Sequence, residues 1–170
     1  SVTNGAGVFF MCLKLKGEQG TVFDEDHVDV DYAHIDGGTA NPGYFTDKNT
    51  PQPYALLSEE NTKLTFYYDA NKRTTPNAMD VGPFTGNYDP NSGQYVDDDR
   101  GWYEARESIT TVEFDESFKE YTDLTSTAYW FNRCHNLSSI KKIENLKTGK
   151  VEDMMAMFYE CSSLTDLDTT

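Results

Sequence analysis

The chain has 170 residues, room for one domain or two small ones. Fourteen Lys and Arg against 29 Asp and Glu leave a formal charge of −15, which argues against nucleic acid, whose phosphates need a basic face, and against anionic lipid. Ile, Leu, Val and Phe number only 33 of the 170, but 11 Tyr, 10 Phe and 2 Trp raise the aromatic share to 14%, so the composition predicts a folded, strand-rich, acidic, soluble domain whose core leans on Tyr and Phe.

In chain order, the first apolar run spans residues 8–13. It falls far short of the ~20 residues that cross a bilayer, so no membrane insertion is expected, and it is too short for a signal-peptide core. Ser1 in place of Met points to removal of an N-terminal segment. Residues 8–15 read as a strand. Cys12 reads as a buried strand thiol, because the preceding Phe10-Met11 is a poor context for lipidation. Asn41-Pro42-Gly43, Pro51-Gln52-Pro53 and Gly82-Pro83 punctuate loops. Residues 54–57 and 63–68 read as two strands joined by a turn at 58–62. Residues 70–100, rich in Asn, Asp, Gly and Pro, read as a long surface loop. Together, residues 1–100 are expected to form a β-rich N-terminal capping region with long loops.

From residue 101 the pattern becomes a repeat. Displaced by 27 positions, Phe131 falls on Phe158, Cys134 on Cys161 and Leu137 on Leu164, and Leu124, Trp130, Ser138 and Ile140 fall on Val151, Met157, Thr165 and Leu167. The shared pattern is F-x-x-C-x-x-L-[ST]-x-[IL]. Val151, Met154, Met155, Phe158 and Cys161 have the spacing of one helix face, as do Leu124, Ala128, Phe131 and Cys134, so a short helix is expected in each copy. Short strands are expected at 109–114, 137–140 and 164–167. A period of 20–29 residues with one strand and one helical segment marks a leucine-rich repeat, which buries its apolar face only by stacking into a solenoid. The expected fold is thus α+β: the capping region, then residues 101–170 as about two repeats and a truncated third. Cys134 and Cys161 should form a ladder of buried thiols; their separation supplies no C-x-x-C and no second ligand pair for zinc.

The residues also resemble a family. Leu64-Thr65-Phe66-Tyr67-Tyr68-Asp69, Gly101-Trp102-Tyr103, Ile109-Thr110-Thr111-Val112-Glu113-Phe114-Asp115-Glu116-Ser117-Phe118, and the segments around Cys134 and Cys161 resemble the BspA-like leucine-rich-repeat surface proteins of bacteria. The resemblance runs from about Tyr54 to Thr170. Residues 1–50 carry no motif of the family, and its members usually have many more repeats. The resemblance implies a protein that is either secreted or held at the cell surface through a lipidated N-terminus, with a role in adhesion to proteins or other cells.

Catalytic and metal signals are weak. The acidic cluster at residues 24–31 and the one running from Asp89 to Asp99 invite calcium, but Gln94 and Arg100 stand where an EF-hand needs Gly and Glu, so solvated loops are favoured. His27, His34 and His135 are far apart, and no catalytic motif is present. Tyr88, Tyr95, Trp102 and Tyr103 could offer a sugar-stacking platform, with a core and loop-anchoring role favoured. No catalytic residue, cofactor or metal ligand is expected. The expected function is a non-enzymatic binding module that presents the solenoid face to an extracellular protein or glycan. On that face Thr110, Thr111, Ser138, Ser139, Thr165 and Asp166 point outward between the buried repeat positions. Two alternatives stand beside it: an accessory surface lipoprotein of an outer-membrane nutrient-uptake complex, and a hydrolase with its site in the N-terminal region.

Overall fold

The computed structural model describes residues 2–85, 99–165 and 167, with the backbone of residues 87–89 and 94–96. The chain divides into two units, Ser1–Thr50 and Pro51–Thr170. Its architecture is mixed α+β: an open four-stranded sheet, with short 3-10 helices as the helical elements among the described residues.

In the larger unit, the apolar run of β1 (Gln52–Leu57) and the alternating apolar residues of β2 (Lys63–Asp69) pair as an antiparallel hairpin that matches the expected strand pair. A second, two-stranded sheet pairs β3 (Asn87–Asp89) with β4 (Gln94–Val96) inside the stretch expected to be loop throughout. Chain order then brings β5 (Thr111–Phe114) and β6 (Ser139–Lys141), where strands were expected at 109–114 and 137–140. The sheet order is β1-β2-β5-β6, and both β2–β5 and β5–β6 pair in parallel, so the sheet crosses the division expected near residue 100. Leu64, Val112 and Ile140 share one row and all are buried. The strand expected at 164–167 is not formed: Leu164, Thr165 and Leu167 lie outside any strand, and Asp166 lies outside the described residues.

The sheet's inner face closes on an aromatic core. The Phe66 ring stacks on Trp130 at 4.8 Å and on Phe114 at 5.0 Å, and meets Trp102, Phe118 and Phe131 edge-on. Such offset and T-shaped pairs add specific geometry to the apolar burial. Val81 and Phe84, from the expected loop, are buried in the same cluster. Trp102 is fully buried there, which places it in the core and not on an exposed platform, while Tyr103 carries the Arg106 guanidinium 4.0 Å from its ring centroid. The side chains of Tyr88 and Tyr95 lie outside the described residues.

The helices expected at 124–134 and 151–161 are replaced by chains of turns. Tyr129, Arg133, Ala156 and Glu160 have φ between 52° and 62°, the left-handed region, which interrupts a right-handed helix every fourth residue. The two left-handed sites recur at the same 27-residue offset as the Phe and Cys. Every second amide bonds locally, Trp130 to Thr127, Asn132 to Tyr129 and Cys134 to Phe131. The amides between them donate to the second copy: those of Thr127, Tyr129, Phe131 and Arg133 reach the carbonyls of Asp153, Met155, Met157 and Tyr159 at 2.8–2.9 Å. Stacking thus takes the amides that an α-helix would have used internally. Apolar spacing marks one buried face in the first copy, where Leu124, Ala128, Phe131 and Cys134 are all buried, but in the second copy Met154 and Met155 are exposed, and neither backbone is helical.

Three carbonyls of the first copy accept from side chains. Buried Arg100 donates Nη1 to the carbonyls of Tyr129, Trp130 and Asn132, and Trp102 donates Nε1 to Trp130 at 2.8 Å. Asn145, also buried, donates Nδ2 to the carbonyls of Phe114 and Asp115. These three side chains satisfy buried carbonyls that would otherwise be stranded.

In the N-terminal unit the expected strand at 8–15 is absent. Those residues form successive turns with left-handed Gly7 and Met11, and Cys12 is exposed, not a buried strand thiol. The spacing A-x-x-F-x-x-C-x-x-L at Ala6, Phe9, Cys12 and Leu15 is that of Ala128, Phe131, Cys134 and Leu137. The backbone follows it: amides of Phe10, Cys12 and Leu15 bond to carbonyls of Gly7, Phe9 and Cys12, as those of Asn132, Cys134 and Leu137 bond to Tyr129, Phe131 and Cys134. The unit is held by buried Asp36, whose carboxylate accepts from the amides of Gln19, Thr21, Gly38 and Gly43 and from the Thr21 hydroxyl. Burial alone would raise this carboxyl; the Thr21 hydroxyl and the amides of Gly38, Thr21 and Gln19 outweigh it and hold it down to about 2.

Candidate binding face of the sheet

Strand alternation sends Leu64, Phe66, Val112, Phe114 and Ile140 inward and leaves a second row of side chains on the opposite face. Register places Lys63, Thr111 and Ser139 in one row of that face and Thr65, Glu113 and Lys141 in the next. Glu113 is the centre of the face. Its carboxylate takes Lys63 from β2 on one oxygen and Lys142, just past β6, on the other at 2.8 Å, so one acid ties three strands. The bond from Lys142, then that from Lys63, lowers the Glu113 carboxyl to about 2, and the same contact raises the Lys142 ammonium. Lys142 reaches it from a left-handed backbone, φ 57°. Beyond Thr65, the Tyr54 and Tyr67 rings stack at 5.3 Å, with the Tyr54 hydroxyl donating to Asp69.

The residues expected to face outward divide into two groups. Thr111 and Ser139 lie half-buried in the outward rows, next to Glu113. Thr110 and Ser138 are exposed but lie just before the strands and stitch them. The amides of Thr110 and Thr111 share the Thr62 carbonyl, those of Ser138 and Ser139 share the Thr110 carbonyl, and both hydroxyls donate to the same oxygens at 3.3 Å. Thr165 is exposed and Asp166 lies outside the described residues, so neither is brought into the face. Of the repeat positions, Phe131, Cys134, Leu137 and Ile140 are buried, Phe158, Cys161 and Leu164 are half-buried, and Leu167 is exposed.

The sequence reading missed Glu113, Lys63, Lys141 and Lys142. Lys63 and Glu113 are polar members of K-L-T-F and T-V-E-F, and Lys141 and Lys142 follow Ile140, but the pattern acquires meaning only once parallel register sets Lys63, Glu113 and Lys142 side by side. The Cys pair is buried unevenly. Burial pushes the Cys134 thiol up to about 12 and also raises Cys161, whose Sγ donates to the Phe131 carbonyl. His27 pairs with Asp24 and His34 donates to the Ile35 carbonyl, while His135 bridges Glu107 and Glu160. No three of the described His, Cys, Asp and Glu side chains come together to hold a metal ion, and the second acidic cluster lies largely outside the described residues. No helix among the described residues is long and apolar enough to cross a membrane.

Comparison with protein-family models, with curated proteins and with solved structures finds no match to the chain. The likeness to BspA-like proteins therefore rests on the motifs alone.

Proposed function

We propose that the chain is a non-enzymatic binding module of the cell surface, of the BspA-like leucine-rich-repeat type, that presents the outward sheet face to an extracellular protein or glycan. The observation that carries this reading is the polar face itself: Lys63, Thr111, Glu113, Ser139 and Lys141 in fixed register across three strands, with Thr65 buried among them. Hydroxyls and charges so spaced offer adaptable hydrogen bonds, and the parallel order lets further repeats lengthen the face. Large aromatic and Arg anchors are few, so single-module affinity is modest and avidity from several modules would raise it.

The test is binding of the immobilised chain to panels of glycans and extracellular-matrix proteins. The expected result is a micromolar ligand whose affinity falls about tenfold or more when Thr111 and Ser139 are both replaced by Arg. Silence on both panels, binding that survives the double substitution, or hydrolysis of a bound glycan or peptide would overturn the reading.

A further inference from the structure

The outer edge of β1, away from β2, carries a strand pairing that stops short. In an antiparallel pair, the backbone groups of alternate residues point to opposite edges of a strand. The Ser58 amide bonds the Lys63 carbonyl, toward β2, and Leu56 and Tyr54 share that direction. Ala55 points the other way: its amide and its carbonyl both bond Met79 at 2.9 Å, in an isolated antiparallel bridge. Leu57, two residues on, directs its amide and carbonyl to the same outer edge. Its partner in the register of that bridge would be residue 77. Asn77 does not take the place, because its φ of 59° is left-handed and bends the chain off the edge.

A cavity of about 550 Å3 opens where the pairing stops, between the Leu57 end of β1 and the segment from Asn77 to Met79, backed by Gly101. Gly101 leaves room for the Met79 side chain, whose Cγ would lie 2.7 Å from a Cβ there. Every lining residue belongs to the larger unit. The volume falls within the range of about 300–1,000 Å3 that small ligands occupy.

The backbone selects the occupant. A hydrogen-bonded antiparallel pair exchanges two bonds, so the occupant must offer an amide and a carbonyl that flank one Cα and point the same way. One extended peptide residue does so. An acetamido group does not, because its N–H and C=O point in opposite directions across one planar amide. Only one residue can pair, since Ala55 is taken by Met79 and Glu59 lies in the turn toward β2. The site therefore suits a peptide end or a loop tip and not a long strand. Glu59, exposed at the rim, is the one charged side chain of the lining, and with a chain charge of −15 it favours a basic residue.

We infer that this cavity holds one residue of an extended, basic peptide, main-chain paired with Leu57 as a short strand antiparallel to β1. The peptide takes the place that Asn77 leaves and continues the line of Met79, with Glu59 meeting its cationic side chain. Main-chain bonds supply the affinity and the side-chain contact the selectivity, as when peptides add to other sheet edges. The inference does not rest on the outward face: Thr111→Arg with Ser139→Arg leaves it unchanged.

The test titrates the peptide acetyl-Ala-Lys-Ala-amide into the full chain, followed by amide NMR. The expected result is saturable shifts centred on Leu57, Glu59 and Asn77, with a Kd of about 1 mM or tighter. The same peptide methylated on the lysine amide nitrogen keeps its charge but loses the donor, and should bind about tenfold more weakly. Glu59→Lys lies in an exposed turn, so folding is retained. It should weaken the lysine peptide about threefold, and the peptide with Glu in place of Lys should then bind the variant better than the parent chain. The inference is overturned if Leu57 shows no saturable shift up to about 10 mM peptide, if the methylated peptide binds equally well, or if Glu59→Lys leaves both peptides unchanged.

Discussion

Glu113 shows how one carboxylate organises a face. Its folded value of about 2 lies below the ordinary value of 4.5, so the charged form is favoured in the fold. The resulting stability is fully present above about pH 4.5 and is lost as pH falls through about 2. Glu113→Gln should cost about 1.5–3 kcal/mol at neutral pH, the range for hydrogen bonds to a charged group, and should flatten that acid limb in urea titrations at stepped pH. Asp36 behaves with the same sign in the N-terminal unit: its contribution is present above 3.8 and is lost toward about 2. Asp36→Asn should destabilise that unit and remove its acid limb, read by amide exchange of Thr21 and Gly38. The cysteines separate by exposure. Brief alkylation of the native chain near pH 8 should label Cys12 and spare Cys134, with Cys134 reacting only after unfolding, as intact and peptide masses would show. Equal labelling of Cys12 and Cys134 in the native state would contradict the burial described here.

At the scale of elements, β2 was legible from its alternation and β1 as a short apolar run before a turn, and β5 and β6 were legible from the repeat. The turns were not. Ala128, Phe131 and Cys134 have a spacing that a helix and a chain of turns both satisfy, and the choice is made by tertiary hydrogen bonds that pull Tyr129 and Arg133 into the left-handed region. The same confusion hid the turn at 6–15: its unbroken apolar run, 8–13, resembles a strand more than it resembles residues 128–137, yet the A-x-x-F-x-x-C-x-x-L spacing is shared. Ala156 probes this directly. Its φ of 52° strains an L-residue, so Ala156→Gly should stabilise the chain by up to about 1 kcal/mol, whereas glycine inside a true helix costs about that much. Thermal melts of the two proteins decide the sign.

At the scale of the whole molecule, the larger unit is one mixed sheet, antiparallel at β1–β2 and parallel from β2 through β5 to β6, with two stacked turn copies beside it. Arg100 and Trp102 donate to the carbonyls of Trp130 and Asn132 in the first turn copy, and the amides of Met154, Ala156, Phe158 and Glu160 in the second have no acceptor among the described residues. The sequence could not show Arg100 in that part, because a lone Arg in a loop gives no hint that its guanidinium will stand in for missing amides. Arg100→Met should cost about 1.5–3 kcal/mol through the stranded carbonyls, read as a lower urea midpoint at unchanged slope. The polar sheet face was half legible: Thr111 and Ser139 were placed from the repeat, whereas Glu113 and its lysines needed register across strands 48 and 28 residues apart. The central claim, that the two copies stack through alternate amides and not as packed helices, is tested most directly by residue-resolved hydrogen exchange in dilute solution. Slow exchange at Thr127, Tyr129, Phe131 and Arg133 with fast exchange at Met154, Ala156, Phe158 and Glu160 is the predicted result. Equal protection of the two sets would contradict it.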